Sequence, residues 1–387
     1  MLKKVRVMIV AGEASGDAHA AKLIQRLRES VGDDGFEAFG AAGPMMRKAG
    51  VEAIVRSDEL SVVGIPEILK AAPMFISALR KLTAAASERE PDVVVLVDFP
   101  DFNLRLARSL KKKGFRVIYY ISPQLWAWRS YRVRSIRKYV DLLITILPFE
   151  KDWYSKKGIT HVEYVGSPLA LEVHPQQEKK EFCDKNGIDP TRPIVAFLPG
   201  SRHKEIIRIL PEMLEAAALM SQKRDEIQFV IGLAPGRTMD EVSAARENLV
   251  AKGVELPEFR TTINETYDLL NASDAAAVTS GTATLETGIL GTPMAIVYKT
   301  SAFNYKLLRP LISVEHFGLI NLIAGERISR ELIQDEFTPV SLADELVRLL
   351  DPEVNQFARR QLAKASDMLG HGGASKRAAD AILSFLD

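Results

Sequence analysis

The sequence predicts an α/β protein of two doubly wound parallel-sheet domains in tandem, and three observations carry that expectation. Short, continuously apolar runs alternate with amphipathic helical patterns, as strands covered on both faces of a sheet require. The alternation begins a second time after the polar, proline-containing stretch 174–193. The chain, at 387 residues, is longer than one core usually organises.

In the first half the strand runs are 5–10 (VRVMIV), 92–97 (DVVVLV), 116–121 (RVIYYI), 141–146 (DLLITI) and the shorter 161–165 (HVEYV). Helical patterns cover 18–30 and 102–114, the second closing on Gly114 as a stop. The second half repeats the plan with runs at 194–199, 227–233, 275–279 and 294–298, and from about Val340 the pattern is mostly helical. The expected domains are 1–172 and 173–354. Open α/β sheets bind ligands beyond the carboxyl ends of their strands, so two such units facing across a cleft would place functional residues at strand-to-helix turns.

Composition narrows the function classes. Hydrophobic residues make up 47% and charged residues 26%, as in ordinary globular proteins, and the net charge of +1 offers no basic field for nucleic acid. The lone Cys183 excludes an intrachain disulfide and any CxxC pair. The six His show no HExxH or other metal-ligand spacing, so no metal and no cofactor are expected. Lys3 and Lys4 lead directly into a strand-length run, with no signal peptide and no apolar stretch near the roughly 18 residues that span a bilayer. A cytoplasmic location is expected, with the oligomeric state, homo-oligomer included, left open.

The turns supply the chemistry. VAGEASGD (10–17) departs from GxGxxG, and the chain has no P-loop. The turn offers Ser15 as a donor and Glu13 and Asp17 as carboxylates, with helix capping by Asp17 as the alternative. In VDFPDFN (97–103), Asp101 fits an N-cap, whereas Asp98 ends an apolar strand with no local task. A partly desolvated carboxylate there suits a general base. SPQLWAWR (122–129) places Trp126, Trp128 and Arg129 together, as core and solvated helix face or as a phosphate-facing rim.

In LPGSRHKE (198–205), Ser201 and Arg202 precede a helix from about Lys204, a combination that suits an anion. SGTATLE (280–286) combines Ser280, Gly281 and Thr282 at a helix start with Glu286 one turn further in. Its hydroxyls and N–H groups suit phosphate and its carboxylate suits ribose hydroxyls, with a capped helix as the plain alternative. Asn321, in FGLINLIAGE (317–326), either bonds backbone or contacts a ligand. Residues 61–82 carry many apolar side chains and two prolines, fitting core or a surface for acyl chains or a membrane interface.

Taken in order, VAGEASGD, SVVGIPEIL, VDFPDFN, SPQLWAWR, LPFEK (147–151), LPGSR, SGTATLE and NLIAG resemble the bacterial lipid-A-disaccharide synthase family over nearly the whole chain. The resemblance implies a GT-B fold: two Rossmann-like domains, acceptor on the first and sugar nucleotide on the second, with C-terminal helices 355–387 returning to the first. It implies inverting transfer of 2,3-diacylglucosamine from UDP to the 6-hydroxyl of 2,3-diacylglucosamine 1-phosphate at the cytoplasmic membrane face. Matched onto this sequence, Asp98 would be the base, Arg202 would stabilise the leaving diphosphate, and Ser280, Glu286 and Asn321 would hold UDP. Two positions depart from the family pattern: Ser167 stands where His is common, and Ile320 where Pro is common. A UDP-sugar epimerase on the same architecture and a two-lobed solute-binding protein are the rival expectations.

Overall fold

The computed structural model describes residues 4–60, 68–301, 305 and 315–387, and the chain divides into two compact units, Met1–Pro168 with His371–Asp387, and Leu169–Gly370. The first boundary thus falls at 168/169 rather than 172/173. The second falls at 370/371 rather than 354/355. The helix Pro352–Asp367 belongs to the second unit because its side chains are bound there: Arg359 donates to the carbonyls of Gly291 and Ser273, and Ser366 to that of Gly288.

In unit 1 the strands are β1 (Val5–Ala11), β2 (Phe36–Ala42), β3 (Glu52–Arg56), β4 (Val93–Val97), β5 (Val117–Tyr120), β6 (Leu142–Thr145) and β7 (Val162–Tyr164). All pair in parallel, in the order β3-β2-β1-β4-β5-β6-β7. The five residues of β4 are fully buried, as an all-Val/Leu run covered on both faces should be. Helices α1 (Ala14–Val31), α2 (Pro44–Lys48), α3 (Ile68–Arg89) and α4 (Pro100–Lys111) provide the covering layers. α4 shows the expected stop: the chain turns at Gly114, φ +88°, where Gly114 N–H donates to Lys111 and Phe115 N–H to Leu110. The C-terminal helix Ala374–Leu386 buries Ala378, Ala379 and Ile382 in the core shared with α1.

Unit 2 contains β8 (Ile194–Leu198), β9 (Gln228–Leu233), β10 (Phe259–Ile263), β11 (Ala275–Thr279), β12 (Met294–Tyr298) and β13 (Glu331–Ile333), parallel in the order β10-β9-β8-β11-β12-β13. β2, β3, β10 and β13 were not expected from the sequence. In each sheet the strand order reverses once, between β1 and β4 and between β8 and β11. Loops leaving the carboxyl ends of two such strands diverge to opposite faces and open a crevice, so these two places are where a ligand site is sought.

Candidate active site

In unit 1 the reversal brings together the turns after β1 and β4, which carry Glu13 and Asp98. Asp98 is half-buried, and burial, reinforced by the negative charge of Glu13, pushes its carboxyl up to about 6. Asp98 and Phe99 both adopt left-handed backbone, φ +46° and +50°. That conformation costs on the order of 1–3 kcal/mol per non-glycine residue and persists where surroundings over-determine it. Phe99 stacks on Phe102 at 5.6 Å and contacts Phe75 at 6.2 Å. Gly12 makes room for it, since a Cβ there would lie 2.1 Å from Phe99 Cδ1.

The remaining expected residues of this unit divide. Glu13 and Ser15 are exposed at the α1 start. Asp17 is a correction: it is buried, and its carboxylate accepts from the N–H groups of Gly43, Met45 and Met46 at 2.8–3.2 Å, so it braces the start of α2 instead of facing a ligand. Trp126 is also corrected. Its indole is buried edge-on to Phe149 and donates to Glu150 Oε1 at 3.0 Å.

Glu150, which the sequence reading missed, also accepts from Ser122 Oγ and from the N–H groups of Ile146 and Leu147. Burial pushes it up to about 7 against those donors. It ties the 122–129 loop to the next strand-to-helix turn. Asp101 is not an N-cap, because α4 begins at Pro100; it pairs instead with Arg129 at 3.2 Å and with Arg132. Arg129 also lies over the Trp128 ring at 4.1 Å.

In unit 2 the reversal between β8 and β11 opens a cavity of about 620 Å³. Ser201, Arg202, Ser280, Gly281, Thr282 and Glu286 all line it, with Glu205, Asn264 and Tyr267 beside them. The helix α5 (His203–Ser221) starts at one wall and α6 (Thr282–Ile289) at the other. Among the described residues Gly281, φ +157°, meets nothing within 4 Å at its Cβ position, leaving the backbone open to approach. Glu286 accepts from Tyr267 Oη at 3.0 Å, and burial raises its proton affinity. Another cavity, of about 610 Å³, lies toward the amino-terminal ends of β9 and β10, but its arginines are committed, Arg192 to the carbonyls of Asp225 and Glu226 and Arg260 to Glu258.

Two expectations here are corrected. The N–H groups of Ser201 and Arg202 are not open to an anion: Glu205 Oε2 accepts from both, at 3.1 and 3.2 Å, while its Oε1 takes Arg202 Nη1 at 2.8 Å. Asn321 lies outside the cavity lining and is fully buried. Its amide donates to Ser329 O and Glu331 Oε1, and its oxygen accepts from Ser329 N–H. Glu331 also takes the N–H groups of Phe317 and Gly318, and Phe317 O accepts from Ser280 Oγ at 2.7 Å. Asn321 therefore reaches the cavity through Ser280. Ile320 fills the space in front of Gly288, and Ser167 is buried. Of the 61–82 segment, residues 61–67 lie outside the described residues, while Met74, Phe75 and Leu79 pack on the core of unit 1. Among the described residues no three or more His, Cys, Asp or Glu side chains gather as a metal-ligand set, and no helix is long and apolar enough to cross a membrane.

Two parallel sheets, each reversing its strand order once, with a cavity at the reversal of unit 2, define the architecture shared by two-domain glycosyltransferases and sugar-nucleotide epimerases. Solved structures bear out the fold. A putative UDP-N-acetylglucosamine 2-epimerase from Listeria monocytogenes superposes with a TM-score of 0.67 at 14% identity, over 99% of this chain and 96% of its own. A glycosyltransferase from Rickettsia africae gives 0.59 at 11% identity, over 99% and 98%. The sequence goes further. Residues 7–384 match the family described as lipid-A-disaccharide synthetase. The lipid-A-disaccharide synthase of Trichlorobacter lovleyi is 43% identical over 99% of this chain and 98% of its own, and that of Myxococcus xanthus 42% over 100% and 99%. The chain belongs to the lipid-A-disaccharide synthase family.

Proposed function

We propose that the protein is an inverting glycosyltransferase that moves 2,3-diacylglucosamine from UDP to the 6-hydroxyl of 2,3-diacylglucosamine 1-phosphate. Family membership supports the reaction and disfavours epimerisation. The observation that carries the residue assignment is the carboxylate of Asp98, raised to about 6 at the strand reversal of unit 1. Its proton affinity lies close enough to neutral to accept a proton and low enough to be ionised beforehand.

In one displacement the acceptor oxygen bonds to the anomeric carbon, the bond to the diphosphate breaks, Asp98 takes the hydroxyl proton and UDP leaves. Arg202 meets the charge growing on the diphosphate, in place of a metal ion. Its side chain is 81% exposed, so it can leave Glu205 for a phosphate at little cost to itself. The Ser201 hydroxyl and the N–H groups of Gly281 and Thr282 contact the phosphates, Ser280 braces that turn through its bonds to Phe317 O and Val297 O, and Glu286, oriented by Tyr267, accepts from ribose hydroxyls. Glu13, Ser15 and Arg129 serve the acceptor side. Such diacylated substrates place the enzyme at the cytoplasmic face of the inner membrane, peripherally bound.

Incubation of the purified protein with both lipid precursors should yield the disaccharide 1-phosphate and UDP by mass spectrometry. A UDP-sugar altered without acceptor, and no disaccharide with it, would instead establish epimerisation.

A further inference from the structure

We propose that Asn103 and Tyr119 are positioning residues that hold the Asp98 main chain in its left-handed turn and thereby aim the carboxylate at the acceptor hydroxyl. The proposal rests on the reading of Asp98 as the base. Three hydrogen bonds fix the two peptides that flank its Cα. Asp98 N–H donates to Tyr120 O at 3.0 Å, and Asp98 O receives both Asn103 Nδ2 at 2.7 Å and Tyr119 Oη at 2.6 Å. One donor comes from α4 and the other from β5, so a single carbonyl is clamped from two elements.

Asn103 also donates to Val97 O at 3.1 Å, bridging the last strand residue and the base. Its side chain is fully buried on the apolar face of α4, and among the described residues Oδ1 has no hydrogen-bond partner. An unsatisfied buried oxygen is unfavourable, so an apolar residue would suit this position better were the amide not needed for its two carbonyls. Tyr119 is likewise buried, apart from the carbonyl its hydroxyl reaches. The chain makes this turn with Asp, which tolerates positive φ, followed by Phe, which does not, so the clamp helps to hold two successive left-handed residues where glycine would serve elsewhere. The titratable groups acting on or beside Asp98 are Glu13 from the turn after β1 and the Tyr119 hydroxyl from β5.

The test compares Tyr119→Phe and Asn103→Ala with the native enzyme and with Asp98→Asn, measuring thermal midpoint, kcat, donor KM and the pH profile. Displacing the carboxylate by about an ångström costs up to roughly 10²-fold in rate. The expected result is a kcat reduced about 10-fold in Tyr119→Phe and up to about 100-fold in Asn103→Ala, with donor KM within about twofold. The acid limb of the profile should also move down toward the ordinary carboxylate range as Asp98 gains solvent. Folded variants with native kcat and an unmoved limb, beside an inactive Asp98→Asn, would overturn the clamp and leave the base assignment standing. A kcat that falls only in step with the folded fraction, the limb unmoved, would also overturn it. Native turnover in Asp98→Asn would overturn the base reading itself, and this proposal with it.

Discussion

Asp98 shows how environment shifts an ordinary carboxyl toward the range that the proposed base requires. Because burial and Glu13 both raise its proton affinity, to about 6, activity should fall as pH drops through that value, where Asp98 becomes protonated and can no longer accept. Glu13→Gln removes one of the two raising influences, so the acid limb of kcat/KM should shift to lower pH. A limb that stays in place or rises would contradict the assignment. Gly12→Ala would force a methyl into Phe99, beside Asp98, and should cost about 1–3 kcal/mol in a denaturant titration as well as turnover. The position of Asp98, just past an all-apolar strand, was legible in the sequence. Asp17, Trp126 and Asn321 were not assigned correctly, since what they bind is distant along the chain or itself unnoticed: Gly43, Glu150 and Glu331.

Among the elements, the turn after β8 carries an internal competitor for its ligand. Glu205 holds the N–H groups and the guanidinium to which a diphosphate would be drawn. Arg202→Ala should raise donor KM about 10- to 100-fold, as expected for lost charge-assisted bonds of about 1.5–3 kcal/mol. Glu205→Gln keeps an oxygen for the two N–H groups but removes the charge, so calorimetry should show UDP binding more tightly; weaker binding would mean that Glu205 acts purely as a brace. Strands in unbroken apolar runs were legible, as was the short β7, while four others were not. The apolar run of β2 is broken by Glu37 and Gly40. β3 and β10 are partly exposed, and β13 has three residues.

For the whole molecule, the two-unit plan followed from the restart of the strand-helix alternation, but its junctions did not. Helices 352–367 and 374–386 have similar amphipathic patterns, and tertiary partners alone decide that one stays with unit 2 and the other packs on α1. Truncation after Gly370 should therefore lower the thermal midpoint of unit 1 while UDP binding persists in residues 169–370. Equal loss of UDP binding would show that the cavity of unit 2 depends on that helix.

The central claim is that the acid group of one unit activates the acceptor while the other unit holds the nucleotide. Its most direct measurement is steady-state turnover of Asp98→Asn with UDP affinity determined on the same preparation. The account predicts turnover reduced by roughly 10²–10⁴ with UDP affinity unchanged. Turnover close to the native rate, or UDP affinity lost along with it, would contradict the account.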